Sequence, residues 1–243
     1  MIAKTRTVRD IALENSSSIR VFERFGIDYC CGGRKALEEA CAASQIEVDA
    51  VVAALEAAAH KPDTSVPDWQ RLSLEQLIDH IVTVHHGYVR AELPRLAALG
   101  DKVVSRHGAL QPEIPAIRAA LTHLDEELTA HLMKEEKVLF PCIVALEGSQ
   151  IGAASPLHAC IAKLENPIAM MVAEHDAAGA LLARMRELSC GFTPPEGACP
   201  TYRGFYDGLR EFELDLHQHI HLENNVLFPR AIAMESTVVK STF

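Results

Sequence analysis

No stretch of this 243-residue sequence is apolar over the roughly 18–20 residues that a membrane span needs. Its start, "MIAKTRTVRDIALENSSS", carries early basic residues but lacks the roughly 7–15-residue apolar core of a signal peptide, so the cytoplasm is the expected location. Basic residues are in deficit: 23 Lys and Arg face 33 Asp and Glu, a formal charge of −10. That balance disfavours a nucleic acid or an anionic membrane as partner. Strand patterns are scarce too, because Val and Ile recur mostly at helical spacing among Ala, Leu and Glu. The seven cysteines are an odd number in a chain large enough to need no covalent staples, so they read as reduced thiols. Cys41, Cys142, Cys160, Cys190 and Cys199 read as ordinary buried or half-buried residues.

What is present is apolar content of 49%, enough for a packed core. Residues 7–59 read as four short helices, in which Ser16 to Ser18 can cap "IRVFERF", Gly26 stops it, and "DYCCGG" makes a turn. The stretch "HKPDTSVPDW" has two prolines and no apolar period, which marks a linker. Four long helical patterns follow. The first, roughly 73–107, opens on a Ser73–Gln76 capping box; the second opens at "QPEIPAI" and ends near Gly148. The third starts at Asn166-Pro167 and ends near Gly191; the fourth starts at Pro200-Thr201 and runs past Phe228. A long crossing, with room for a short helix, covers 149–165, and Pro94, Pro141 and Pro229 are expected to kink or end their helices. The economical architecture is all-α: a small helical domain over 1–60, a linker at 61–72, an up-and-down four-helix bundle over 73–235 and a polar tail at 236–243.

Two segments repeat a chemical pattern. "HLMKEEKVLFP" from His131 and "HIHLENNVLFP" from His219 both read His-x-x-x-Glu-x-x-Val-Leu-Phe-Pro. Residues four apart share a helix face. The inward stripe of the second long helix reads Ile117, Leu121, Leu124, Leu128, His131, Glu135, Val138, Cys142. That of the fourth reads Phe205, Leu209, Phe212, Leu216, His219, Glu223, Val226. Both His–Glu pairs therefore occupy core positions, where an uncompensated carboxylate is very costly. A surface ion pair, worth a few tenths of a kcal/mol, accounts for one such match but not for two in the apolar stripe. His175 precedes His219 by 44 residues and His86 precedes His131 by 45, as in a duplicated helical hairpin. His175 falls in the stripe of the third helix, whereas periodicity does not separate His85 from His86 in the first.

Four imidazoles and two carboxylates converging in one core suit a pair of iron or manganese ions, with both glutamates placed to bridge. No cysteine is among these imidazole and carboxylate donors, which argues against a structural thiolate zinc site. Glu126, Glu136 and Glu174 read as solvated charges or as partners of the ligands; His60, His80, His107, His123, His158, His217 and His221 read likewise as surface or supporting groups. Cys30 and Cys31 lie between Tyr29 and two glycines. Neighbouring cysteines bridge each other only with strain, and a nearby helix start with Arg34 and Lys35 is expected to lower their pKa values.

"DYCCGG" at 28–33, "HLMKEEKVLFP" at 131–141, "AEHDAAG" at 173–179 and "HLENNVLFPRA" at 221–231 resemble the repair-of-iron-centres proteins of the YtfE/ScdA type, in the same order over nearly the whole chain. The resemblance implies a hemerythrin-like bundle with a non-haem di-iron site, preceded by a domain bearing the Cys-Cys turn. By motif the ligands would be His86, His131, Glu135, His175, His219 and Glu223; "IDHIVTVHHGYVRAELP" favours His86 over His85. Oxygen-carrying hemerythrins use five histidines with an aspartate and a glutamate, so four histidines and two glutamates argue against simple dioxygen storage. The implied cofactor is two non-haem iron ions with an oxo or hydroxo bridge. The implied function is repair of iron–sulfur clusters damaged by nitrosative and oxidative stress, by donating labile iron or handling nitric oxide, with Cys30 and Cys31 as the reactive thiols. Damaged iron–sulfur proteins would be the partners, nitric oxide or dioxygen the small ligands, and a homodimer is compatible with this reading. The alternatives are an enzyme that reduces nitric oxide at the di-iron site, and a module that binds nitric oxide or dioxygen without turnover.

Overall fold

The computed structural model describes residues 2–59, 67–150 and 164–241. Half of the expected linker at 61–72 and most of the crossing at 149–165 lie outside the described residues, as do His60, His158 and Cys160. The described residues form helices and a single isolated β-bridge, between Thr7 and Ala36. Backbone contacts divide the chain into two units: residues 1–73 with 217–230, and residues 74–216 with 231–243.

In the first unit the four short helices are α1 (Val8–Glu14), α2 (Ser17–Phe25), α3 (Leu37–Ala43) and α4 (Val48–Ala59). Thr7 caps α1 by accepting the Asp10 N–H at 3.1 Å. The cap of α2 differs from the sequence expectation: Asn15 Oδ1 accepts the Ser17 N–H at 3.0 Å, while Ser18 Oγ donates to the Asn15 carbonyl at 2.6 Å. Gly26 ends α2 in the left-handed region at φ 64°, which only glycine adopts freely. Phe22, Tyr29, Leu37 and Leu55 are buried here, and the Phe22 and Tyr29 rings stack at 6.3 Å. Arg230 donates to the Trp69 and Leu72 carbonyls at 3.2 and 2.6 Å.

The four long helices form an up-and-down bundle. We label them α5 (74–107), α6 (113–150), α7 (Glu165–Leu188) and α8 (200–241). The start of α5 is held by the Glu147 carboxylate, which accepts the N–H groups of Leu74 and Glu75 at 2.8 and 3.0 Å. The polar tail that the sequence suggests from 236 is still helical as far as Ser241.

Three of these helices contain a π-helical turn: Ile81–His86 in α5, Glu135–Leu139 in α6 and Leu222–Leu227 in α8. A π-turn holds one residue more than an α-turn, so it shifts the helix face that follows it. Hence Val138, expected inward, is 60% exposed, while Leu139 is buried. Pro141 and Pro229 each lie just beyond a π-turn, near the start of Phe140–Gln150 and of Phe228–Ser241. A proline has no N–H to give the preceding turn, and a widened turn accommodates it. Neither proline ends its helix, and Pro94 lies within Gly87–His107.

Candidate metal centre

The six residues expected as ligands are brought together. Ligand atoms of His86, Glu135, His219 and Glu223 all lie within 4.8 Å of one another, as do those of His131, Glu135, His175 and Glu223. Glu135 and Glu223 belong to both groups. All six side chains are at most 3% exposed. Glu135 Oε2 faces His86 Nε2 at 3.4 Å and Glu135 Oε1 faces His131 Nε2 at 3.3 Å. The Nε2 atoms of His131 and His175 stand 3.0 Å apart, and His219 Nε2 lies 3.1 Å from Glu223 Oε1.

The π-turns explain how so many polar groups reach one place. His86 ends the first, Glu135 opens the second, and Glu223 lies within the third. The widened turn at 81–86 leaves both His85 and His86 buried, which is why a 3.6-residue period does not separate them. Their environments do. His86 stacks on Phe140 at 5.7 Å and faces Glu135, whereas His85 Nδ1 lies 2.9 Å from Asp215 Oδ1.

Two of the imidazoles are oriented from behind. His86 Nδ1 lies 2.7 Å from Glu136 Oε1, which also accepts from Arg90; His131 Nδ1 lies 2.7 Å from Glu174 Oε2, whose carboxylate also pairs with Lys134. An Nδ1–H that donates to a carboxylate leaves the Nε2 lone pair pointing into the site, the tautomer a metal ligand needs. Burial works to raise the Glu136 carboxyl, but hydrogen bonds from His86 and Arg90 outweigh it and hold the group below its usual range. Glu174 behaves alike: burial opposes, and the bonds from Lys134 and His131 prevail.

The donor set tests the fit of a metal. Two carboxylates with no exposure, and two imidazole nitrogens at 3.0 Å, form a site rich in lone pairs and buried negative charge. Cations compensate such a site, and imidazole with carboxylate suits iron or manganese. The residues fit the group.

Residues 77–231 match the hemerythrin HHE cation binding domain, and residues 4–59 match the ScdA_N domain, described as of unknown function. The iron-sulfur cluster repair protein YtfE of Yersinia pseudotuberculosis serotype IB (strain PB1/+) is 39% identical over 233 residues, 96% of this chain and 99% of its own length. The protein of that name from Yersinia pestis (strain Pestoides F) matches to the same extent. The chain belongs to the YtfE-type family of repair-of-iron-centres proteins.

The family's Cys-Cys turn has an environment that corrects one sequence expectation. Asp28 Oδ1 accepts the N–H groups of Cys30 and Cys31 at 3.0 and 2.9 Å, and Oδ2 accepts that of Gly32 at 2.8 Å. A Cβ at Gly33 would meet the Tyr29 carbonyl at 2.7 Å, so glycine is required there by space. Cys30 is buried and Cys31 half-buried. The hydrogen bond to Cys31, burial and the Asp28 charge all push the Cys30 thiol well above its ordinary value, the reverse of the expected lowering. The helix that was to supply positive potential starts only at Leu37, and Arg34 and Lys35 point to solvent. The potential of a helix terminus fades within a turn.

Sequence reasoning also missed His221 and Asn225. His221 reads as a surface or supporting group but is 2% exposed, and burial lowers its pKa to about 4. Asn225 Nδ2 lies 3.0 Å from His221 Nδ1 and donates to the carbonyls of Tyr29 and Cys30 at 3.2 and 3.4 Å. No local pattern marks these residues, because their partners are about 195 positions away in sequence.

Proposed function

We propose that this protein carries two non-haem irons, with an oxo or hydroxo bridge, on His86, His131, Glu135, His175, His219 and Glu223, and donates labile iron to damaged iron–sulfur clusters. The observation that carries this reading is the sharing of Glu135 and Glu223 between two ligand groups. Two ions that share carboxylates are not saturated by protein donors, so each keeps a route to leave or to meet a small molecule such as nitric oxide or dioxygen. Bound there, iron supplies both redox capacity and the cargo for repair. The chain's own part is to hold Nε2 lone pairs inward through Glu136 and Glu174, and to keep the carboxylates dry. The relatives' name, iron-sulfur cluster repair protein, supports the same role here. The role is that of a donor rather than a turnover enzyme, acting in the cytoplasm on damaged iron–sulfur proteins. Among the described residues no helix is long and apolar enough to cross a membrane. In this reading residues 1–60 present the cysteine turn and residues 73–235 the iron.

The test is anaerobic incubation of isotopically labelled protein with a nitric-oxide-damaged [4Fe–4S] protein. Label should enter the restored cluster. Restoration without label would sink the donor role. Sustained nitrous oxide formation with all label retained would instead establish nitric oxide reduction.

A further inference from the structure

The cysteine turn holds a second set of donors, separate from the His–Glu cluster. Asp28, Cys30 and Cys31 place a carboxylate oxygen and two sulfurs within 4.8 Å of one another. Two thiolates on a tetrahedral ion at about 2.3 Å stand roughly 3.8 Å apart, and the observed separation is 3.6 Å. A thiolate and a carboxylate oxygen on that ion stand roughly 3.6 Å apart, and Asp28 Oδ1 lies 3.3 Å from Cys30 Sγ. We propose that Asp28, Cys30 and Cys31 form a mononuclear site for a thiophilic divalent ion, with ferrous iron its physiological occupant. This occupant rests on the donor role proposed above.

The donors favour a cation. The Asp28 carboxylate stands beside both sulfurs, with Oδ1 3.3 Å from Cys30 Sγ. A divalent ion placed there displaces the thiol protons to solvent and is itself stabilised by three anionic donors. The scaffold is already organised without the ion: three backbone N–H groups hold the Asp28 carboxylate, and Asn225 holds the Tyr29 and Cys30 carbonyls. Gly32 belongs to the arrangement, since a Cβ there would lie 2.9 Å from Asp28 Oδ2. A vicinal disulfide is the competing fate of two adjacent thiols, but it requires about 2.05 Å between sulfurs and a strained turn. Three protein donors leave a tetrahedral ion one position for exchange, as a transit site needs.

Cobalt(II) is the probe, because thiolate ligation gives it a sulfur-to-cobalt charge-transfer band in the near ultraviolet that imidazole and carboxylate ligation do not. Cobalt is titrated anaerobically into the full-length, iron-loaded protein. The expected result is a band saturating at one equivalent per chain, lost in C31S and in the C30S/C31S double variant. Circular dichroism and iron content, unchanged in those variants, show that the fold and the bundle survive. Ferrous ion added afterwards should bleach the band. Absence of the band at saturating cobalt, or its persistence in the double variant, overturns the site. A band that excess ferrous ion leaves intact overturns iron as its occupant. Failure of the donor role is distinguishable, appearing as no labelled iron in the client protein while the cobalt band is normal.

Discussion

His131 Nδ1 lies 2.7 Å from Glu174 Oε2, so a residue on α6 is oriented by a carboxylate on α7 that Lys134 holds in turn. Glu136 and Arg90 stand in the same relation to His86. Replacing Glu174 by Gln keeps the shape but removes the charge that fixes the tautomer. Such changes behind a ligand cost about 10–100-fold in metal affinity. E174Q and E136Q should each release iron to a competing chelator at roughly 10–100-fold lower chelator concentration. Equal retention by wild type and both variants would show that these carboxylates only decorate the surface.

Glu223 belongs to both ligand groups, and its replacement by Leu should remove a donor from each. E223L, purified without added metal, should hold well under half the iron of wild type and lose any bridged di-iron absorption in the near ultraviolet. The protein should remain helical, because Leu121, Leu124, Ile117, Phe205 and Phe212 bury an apolar core that owes nothing to metal. Full iron with an unchanged spectrum in E223L is the outcome that removes Glu223 from the ligand set.

The π-turn at Glu135–Leu139 makes a prediction that a regular helix does not. Val138 is 60% exposed, so V138K should change stability by no more than about 0.5 kcal/mol. Leu139 is buried, so L139A should cost about 2–5 kcal/mol. Urea unfolding of both variants measures this, and a costly V138K with a tolerated L139A would restore the unbroken α-helical register.

Glu213 is buried against Arg186, whose guanidinium reaches its carboxylate at 2.7 Å. Burial outweighs that pairing and raises the carboxyl above its ordinary value of 4.5. The folded state therefore keeps this proton at pH values where the unfolded chain has released it. Stability from this group falls as pH rises from about 4.5 through the raised value, and the full penalty is present above it. In E213Q the group no longer titrates, so stability relative to wild type should improve steadily across that window. Urea midpoints for the two proteins from pH 4 to 7 give the slope; a relative slope of the opposite sign would mean that Arg186 lowers the carboxyl.

The sequence by itself determined the helical class, the four long helices and five of the six clustered residues, because these signals are local. A period of 3.6 residues, a His and a Glu four apart, and a Gly that ends α2 at positive φ are all written within a turn or two of chain. His86 was favoured weakly by the hairpin spacing and decided over His85 by the family resemblance. What the tertiary structure decided is whatever depends on the phase of a helix or on distant partners. The π-turns put Val138 outside and Leu139 inside, and they bury both His85 and His86. Composition does not announce a π-turn, since its extra residue is stabilised by what gathers around it rather than by the residues it contains. The same reason governs the cysteine turn. Arg34 and Lys35 suggested reactive thiolates, but the fold leaves both exposed, turns the Asp28 carboxylate back onto Cys30 and brings in Asn225 from far along the chain. The hydrogen bond to Cys31, burial and that carboxylate keep Cys30 protonated.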